Sequence, residues 1–219
     1  MRNLITPDDV ISALQNGEIG LFPCDTIWGL VGLPSTAKRL HIAKNRPAEQ
    51  AFLFLMSSLE MAQAHTQPWT PTQSAWLHQF WPGPITAILH KAPFPAHQAM
   101  RSTGADVEFL GRRGLVLPNE EPQNLADAPV GSIALRVPRA TWLTDVLKSL
   151  NSPLLSTSAN LSGHSFATTP EHCSAELLAH LDFCYTPPEW TPQNLTGSPS
   201  PIIDLTLTPP RILRSGRFA

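Results

Sequence analysis

Short apolar runs, too hydrophobic to leave one face in water, alternate along this chain with helical patterns. AFLFLMS (51–57) is the clearest run, and its lack of polar alternation is typical of a strand covered on both faces. Strands that alternate with helices predict an α/β fold. Long connections early in the chain favour parallel pairs, and the closely spaced C-terminal strands favour antiparallel pairs. We therefore expect a mixed sheet.

Capping and turn residues set the element boundaries. Thr6 is predicted to N-cap a first helix that has Pro7 at its first position and ends at Gly17. Further helices are predicted at 35–45, 72–81, 142–150 and 170–181. The strands are predicted at 18–23, 51–57, 85–90, 132–138, 153–157, 183–186, 201–205 and 211–215.

Composition limits the classes of protein that fit. A chain of 219 residues with 42% hydrophobic content suits one core, so a single domain over 1–219 is expected. The net charge of −2 gives no general attraction to nucleic acid or to an anionic membrane, so any basic site must be local. Three widely spaced cysteines indicate a reducing cytoplasm rather than a disulfide framework or zinc knuckle. We find no leader-like or membrane-length apolar run and expect no export.

One strand opens into a run of small polar residues, PLLSTSANLSG (153–163). Ser156, Ser158 and Asn160 follow the apolar part, at the end of a strand where ligands bind in open α/β sheets. Hydroxyls, an amide and free backbone N–H groups together form a cradle for phosphate or carboxylate. The alternative is a plain turn followed by an asparagine cap.

A second strand ends in a similar way, in LFPCDTIWGL (21–30). Here the chain breaks at Pro23 and presents Asp25, Thr26 and Trp28 before a glycine. These side chains are candidates for a site at the same edge of the sheet. The alternative is a strand, a turn and a packed aromatic ring.

Four cations stand at unusual positions. Lys44 and Arg46 end a predicted helix in IAKNRP, where they could hold a polyphosphate or simply complement the helix dipole. Arg136 and Arg214 interrupt apolar strands. Because a buried cation needs a partner, each is expected to face either an internal carboxylate such as Asp204 or the phosphate of a ligand.

Several common sites are absent from the sequence. There is no G-x-x-x-x-G-K-[ST] and no G-x-G-x-x-G, so neither a P-loop nor a Rossmann site is supported. The histidines form no H-E-x-x-H group, which argues against a zinc hydrolase. No G-x-S-x-G elbow is present. We expect no metal ligands among the side chains.

Seven motifs in order resemble the YrdC-like family, whose best known members are the TsaC-type L-threonylcarbamoyladenylate synthases. They are FPCDTIWGL, KNRP, FWPGPIT, LRVP, LLSTSANLSG, PSPIIDL and ILRSG, and they extend from about Gly17 to Gly216. The resemblance implies a single-domain, twisted mixed sheet with helices on its faces and a concave, locally basic cleft.

The resemblance also implies a reaction. L-threonine, bicarbonate and ATP, with Mg²⁺, would give threonylcarbamoyl-AMP and pyrophosphate, so that the protein is expected to be a nucleotidyltransferase in tRNA threonylcarbamoyladenosine modification. Separate tRNA threonylcarbamoyl-transfer proteins would use the product. The alternative is a YrdC-like protein that binds a nucleotide or double-stranded RNA, including tRNA, without turnover.

The family's functional residues can be matched position by position. Its Lys-x-Arg falls on Lys44 and Arg46, which are the expected catalytic residues. The residues expected to bind threonine or the nucleotide are Thr26, Trp28, Arg136, Ser156, Ser158, Asn160, Ser200 and Arg214.

The chain departs from the family pattern at a few places. Cys24 stands where the family usually has threonine, Gln50-Ala51 where many members have Asn-Pro, and Pro201 where a threonine is usual. Trp28 replaces a tyrosine or phenylalanine. The segment at about 91–131 is longer than is usual in the family and is interpreted as an insertion. Prolines cluster at 92–131 and indicate a long loop there.

Overall fold

A computed structural model describes residues 1–48, 50–92, 129 and 131–216. Its helices are α1 (Pro7–Gln15), α2 (Ala37–Ala43), α3 (Leu59–Ala64), α4 (Pro71–Phe80), α5 (Thr141–Leu150) and α6 (Ala175–Ala179). Its strands are β1 (Arg2–Leu4), β2 (Gly20–Pro23), β3 (Trp28–Gly32), β4 (Leu53–Leu55), β5 (Thr86–His90), β6 (Ser132–Arg136), β7 (Leu154–Ser158), β8 (Phe183–Tyr185), β9 (Ile202–Asp204) and β10 (Arg211–Arg214). The predicted insertion lies, apart from its ends, outside the described residues.

The ten strands of the described residues belong to one sheet, in the order β1-β8-β2-β3-β7-β4-β6-β5-β9-β10. Parallel pairs, such as β2 with β8 and β4 with β6, occur beside antiparallel pairs, such as β3 with β7 and β9 with β10. The predicted mixed sheet and the antiparallel C-terminal pair are confirmed. The early strands predicted at 18–23 and 51–57 do not form the expected parallel pair, because β3 and β7 lie between them, and β3 pairs antiparallel with β2 through a connection at 24–27 that is too short for a crossover.

Helices cover both faces of the sheet. On one face α1 and α5 pack together, and Val10, Leu14 and Leu147 are fully buried there. The opposite face is covered by α2, α3, α4 and α6. Neighbouring strand residues alternate between the two cores, as Leu21 and Phe22 do. Among the described residues, no helix is both long and apolar enough to cross a membrane.

Local signals explain where the helices begin. The Thr6 hydroxyl accepts from the Asp9 N–H at 3.2 Å, while the Asp9 carboxylate accepts from the Thr6 N–H at 3.0 Å, which is a capping box. The predicted first helix is therefore confirmed. The helix predicted at 170–181 is shorter than expected, because the Ser174 side chain accepts from the Leu177 N–H at 3.2 Å and starts α6 there.

Three elements were not predicted from the sequence. β1 is a three-residue edge strand that pairs with β8. α3 has only six residues. β3 was interpreted as the polar end of β2, because the run 21–30 is apolar on both sides of its turn. Each element is too short, or too uniformly apolar, to show a clear periodicity of hydrophobic and polar residues.

Gly20 makes a close approach that admits no side chain. A Cβ at this position would overlap the ring of Phe183 on the neighbouring strand β8. We expect Gly20→Ala to lower the free energy of unfolding by about 1–3 kcal/mol through overpacking. Urea unfolding checks this. The double variant Gly20→Ala, Phe183→Leu is the control, since it restores space and its loss should be smaller than the sum of the two single losses.

Candidate anion-binding cleft

A cleft of about 230 Å³ opens where β7 ends and where the β2–β3 hairpin turns. Nine of the ten residues predicted to form a site line this cleft: Thr26, Lys44, Arg46, Arg136, Ser156, Ser158, Asn160, Ser200 and Arg214. The sheet thus brings together motifs that are up to 188 positions apart in sequence (Thr26 to Arg214). The prediction that polar residues gather at the end of β7 is confirmed.

Trp28 is the predicted site residue that lies elsewhere. Its side chain is fully buried and packs edge-on against Trp190, with ring centroids 5.4 Å apart. It belongs to the core on the face that α2 covers. The expectation that Trp28 lines the cleft is therefore not met, because its position in β3 directs the ring into that core.

The K-N-R spacing follows from the way α2 ends. Asn45 has φ 48°, a left-handed conformation that asparagine tolerates better than most residues. The Arg46 N–H donates to the His41 carbonyl at 3.0 Å and the Asn45 N–H to the Ile42 carbonyl at 3.0 Å, which is a Schellman pattern. This turn places Lys44 and Arg46 on either side of the helix end, both within reach of the cleft.

Lys44 holds the loop that follows β7. Its ammonium is buried, and it donates to the Ser158 carbonyl at 2.7 Å, the Asn160 carbonyl at 2.8 Å and Asn160 Oδ1 at 2.9 Å. An ammonium has three hydrogens, so these bonds use all of its donors. The Lys44 carbonyl also accepts from the Ser162 N–H at 2.9 Å. Lys44 therefore positions the 158–162 loop.

Asn160 completes this arrangement. Its Oδ1 accepts from Ser158 Oγ at 2.5 Å as well as from Lys44. Its Nδ2 donates to the carbonyls of Leu161 at 2.9 Å and His164 at 2.5 Å. The Ser-x-Asn spacing thus lets one amide connect the strand end, the lysine and the loop.

Arg46 is held by residues that the sequence did not indicate. Its Nε donates to Gln50 Oε1 at 3.0 Å, and the two terminal nitrogens donate to the Ala51 carbonyl at 2.7 Å and to Thr157 Oγ1 at 3.3 Å. The guanidinium also lies 5.0 Å from the ring centroid of Phe52. Gln50 and Ala51, which depart from the family pattern, therefore support the cation directly.

Arg136 is paired with an internal carboxylate, which was one of the two expected kinds of partner, but this carboxylate is not Asp204. One terminal nitrogen lies 3.3 Å from Asp25 Oδ1, and the other donates to Thr26 Oγ1 at 3.1 Å. Asp204, the example that the sequence offered, lies on β9, which β5 separates from β6. Asp204 instead accepts from the Thr206 N–H at 2.8 Å. The sequence could not show this, because Asp25 and Arg136 are 111 positions apart.

Arg214 and Ser200 form the remaining wall. Arg214 Nε donates to the Ser200 carbonyl at 2.8 Å, and a terminal nitrogen lies 3.3 Å from Ser200 Oγ. That hydroxyl also shares a 2.8 Å hydrogen bond with Thr86 Oγ1. The serine is therefore fixed on both sides, by Arg214 and by Thr86.

The electrostatics of the cleft favour an anion. Burial, followed by repulsion from Arg46, lowers the pKa of Lys44 to about 7, although its three acceptor oxygens favour the charged form. Burial lowers the pKa of Arg46 to about 10, and burial together with Arg136 does the same for Arg214. Among the described lining residues there is no carboxylate. An anionic ligand would relieve this concentration of positive charge.

The pKa of Lys44 predicts a pH dependence. Bound anion favours the charged ammonium, so it raises this pKa, and binding above pH 7 takes up a proton. The affinity for sulfate, which does not titrate in this range, is expected to fall between pH 7 and 9, by at most about tenfold per pH unit. Calorimetric titration measures this. Lys44→Met should lose the pH dependence, whereas a wild-type affinity that is constant from pH 6.5 to 9 would contradict the prediction.

Comparison with known proteins identifies the family. A model of the Sua5, YciO and YrdC proteins, described as "Telomere recombination", matches residues 12–216, which is most of the chain. The chain belongs to this family. The resemblance seen in its motifs is thereby confirmed.

Two relatives of this Sua5/YciO/YrdC chain carry the same name. A threonylcarbamoyl-AMP synthase of Pyrococcus abyssi is 23% identical over 206 residues, which is 93% of this chain and 52% of that protein. One of Vibrio parahaemolyticus is 28% identical over 176 residues, 78% of this chain and 80% of that protein. The chain thus spans about half the length of the Pyrococcus relative.

Solved structures confirm the fold of the family in this chain. P. abyssi Sua5 complexed with L-threonine matches with a TM-score of 0.71 and 21% identity, covering 97% of this chain and 55% of that one. E. coli YciO matches with a TM-score of 0.71 and 19% identity, covering 100% of this chain and 94% of that one. The predicted YrdC-like α/β fold is therefore confirmed.

Proposed function

We propose that this chain is an L-threonylcarbamoyladenylate synthase, a nucleotidyltransferase that forms threonylcarbamoyl-AMP and pyrophosphate from L-threonine, bicarbonate and ATP. The observation that carries the proposal is the cleft, where four cations from three parts of the chain surround a hydroxyl-rich loop. Such a cleft suits a polyanion such as the triphosphate of ATP. The names of the Pyrococcus and Vibrio relatives support the same assignment.

In the proposed reaction, the nucleophile that attacks ATP must first be formed from threonine and bicarbonate. The amine of L-threonine takes up the carbon of bicarbonate with loss of water and becomes a carbamate. A carbamate oxygen then attacks the α-phosphorus of ATP, and the bond to the bridging oxygen breaks so that pyrophosphate leaves with its electron pair. No covalent bond to the protein is required. Cys24 fits this scheme, because burial raises the pKa of its thiol to about 11 and keeps it neutral.

The residues of the cleft would act by binding and orientation. We assign Arg46, Arg136 and Arg214 to the phosphates and to the threonine carboxylate, where guanidinium groups are suited to oxygen pairs. Lys44, with its donors already used, would act through Ser158 and Asn160 by fixing their positions. Thr26, Ser156 and Ser200 add neutral donors. Holding three substrates in line can supply about 7–11 kcal/mol of the barrier at best.

Mg²⁺ is expected to enter with the nucleotide. Within the described residues no group of three His, Cys, Asp or Glu side chains could hold a metal ion, and the described cleft lining carries no carboxylate. A resident magnesium site of the usual carboxylate kind does not fit these residues. The ion would therefore be part of the substrate, as the magnesium complex of ATP.

The product would be passed to proteins that transfer the threonylcarbamoyl group to tRNA, in the cytoplasm. The alternative from the sequence, a nucleotide- or RNA-binding protein without turnover, remains the second candidate. Four of the described cations line the cleft, whereas the exposed cations Arg2, Arg39 and Lys148 are each paired with a carboxylate. This arrangement favours a small polyanion over a nucleic-acid backbone.

Pyrophosphate release tests the proposal. The purified protein is given magnesium and ATP, with L-threonine and bicarbonate each added and omitted in turn, beside the double variant Lys44→Ala, Arg46→Ala. We expect release only with both co-substrates and none from the variant. If ATP stays intact in every combination, the binding-protein alternative replaces the synthase.

A further inference from the structure

Asp25 lies in the turn between β2 and β3, beside the cleft but not among its lining residues. Its side chain is nine-tenths buried. We propose that Asp25 is a positioning residue, which holds Arg136 and Thr26 together as one donor unit for an anionic oxygen of the ligand. The proposal rests on the proposed function only for the identity of that ligand.

Asp25 connects three separate parts of the chain. Its Oδ1 lies 3.3 Å from a terminal nitrogen of Arg136, and its Oδ2 accepts from the Arg139 N–H at 2.9 Å, just before α5. Its carbonyl accepts from the Thr196 N–H at 3.4 Å, near the loop that leads to Ser200. The Asp25 carboxylate therefore acts on the β6 wall of the cleft, while its backbone carbonyl supports the 196–200 wall.

The donors that remain after these contacts point to an acceptor on the ligand. Arg136 donates to Thr26 Oγ1 at 3.1 Å, so the Thr26 hydroxyl keeps its own hydrogen for another partner. Arg136 Nε is buried and has no hydrogen-bond partner among the described residues. Both residues line the cleft. The Thr26 hydroxyl and Arg136 Nε are thus spare donors, and such donors suit a carboxylate or phosphoryl oxygen.

The charge balance explains why Asp25 controls this unit. Arg136 is 2% exposed, and a buried guanidinium without a counter-charge is strongly unfavourable. Among the described residues, Asp25 is the carboxylate that pairs with it. Without this ion pair, we expect Arg136 to move. It would then lose its hydrogen bond to Thr26, and its Nε would no longer be placed to donate to the ligand.

Pyrophosphate binding to the full chain, measured by calorimetry, tests this inference without requiring turnover. Asp25→Asn removes a negative charge near an anion site, so a simple charge effect would tighten binding. Positioning predicts the opposite, a weakening of at least about tenfold. The matched control is Asp145→Asn, an exposed carboxylate on α5 whose loss should leave binding unchanged. Binding that is unchanged or tighter in Asp25→Asn would overturn the proposal.

Two further measurements distinguish positioning from a structural role. Asp25→Glu keeps the charge but displaces it by one methylene, and it is expected to weaken binding as well; wild-type affinity in this variant would overturn the proposal even if Asp25→Asn fails to fold. In an Arg136→Gln background, Asp25→Asn should add less than about a twofold loss, because the two act together. Fully additive losses would contradict this.

The outcome is separable from that of the proposed function. If the wild-type chain binds pyrophosphate and the Asp25 variants do not, the inference stands even when no turnover is found. If turnover is found and the Asp25 variants bind normally, the inference alone fails. A wild-type chain that does not bind pyrophosphate would overturn it.

Discussion

Replacing Lys44 by methionine is expected to lower threonine-dependent pyrophosphate release by about 10²–10³-fold. Methionine keeps most of the buried stem but donates no hydrogen bond. Two carbonyls and the Asn160 amide oxygen then each lose the hydrogen bond from the ammonium, and the 158–162 loop loses its connection to the lysine side chain at the end of α2. Because the loop itself carries Ser158 and Asn160 into the cleft, the effect is expected in kcat as well as in KM.

Stability and a matched variant complete this test. The loss of these three hydrogen bonds in Lys44→Met is expected to lower the free energy of unfolding by about 1–3 kcal/mol, measured by urea titration. Lys38→Met is the control, since Lys38 lies on the exposed side of the same helix. It should change neither quantity. Near-normal turnover in Lys44→Met would show that the loop holds its position without the lysine.

Asn160→Asp is expected to weaken ATP binding by about 100-fold while the chain stays folded. The new carboxylate has the same shape, so it can still accept from Lys44 and from Ser158. It cannot donate to the carbonyls of Leu161 and His164, which the amide does now. It also brings a negative charge into a cleft whose described lining residues carry no carboxylate.

Equilibrium binding of ATP, with circular dichroism to monitor folding, measures this effect. Asn3→Asp is a suitable control, because Asn3 is exposed on the edge strand β1 and the same charge change should leave binding as it was. An affinity for ATP in Asn160→Asp within a few-fold of wild type would mean that the nucleotide phosphates lie away from this amide.

Sequence reasoning found the parts of the site that local patterns encode. The K-N-R turn and the Ser-x-Asn loop each lie within a few residues, so the residue types and their spacing are visible in the chain itself. The strand end at β7 was predicted because a buried run stops abruptly at polar residues. These features required no knowledge of which strands are neighbours.

The remaining parts depend on pairing across the sheet. Asp25 rather than Asp204 pairs with Arg136 because the strand order separates β9 from β6, and no local signal reports that order. Thr157, on the distant strand β7, accepts a hydrogen bond from Arg46 across the fold. Gln50 also accepts from Arg46, from the irregular segment that follows α2. Trp28 was misplaced because an aromatic ring beside a polar turn can face either a cleft or a core, and its β3 strand was not recognised.

Direct detection of the product tests the central claim most closely. The protein is incubated with magnesium, ATP, L-threonine and ¹³C-labelled bicarbonate, and the mixture is analysed at once by mass spectrometry. The account predicts threonylcarbamoyl-AMP that carries one ¹³C atom, together with an equal amount of pyrophosphate. Pyrophosphate or AMP without the labelled adduct, or no consumption of ATP, would contradict it.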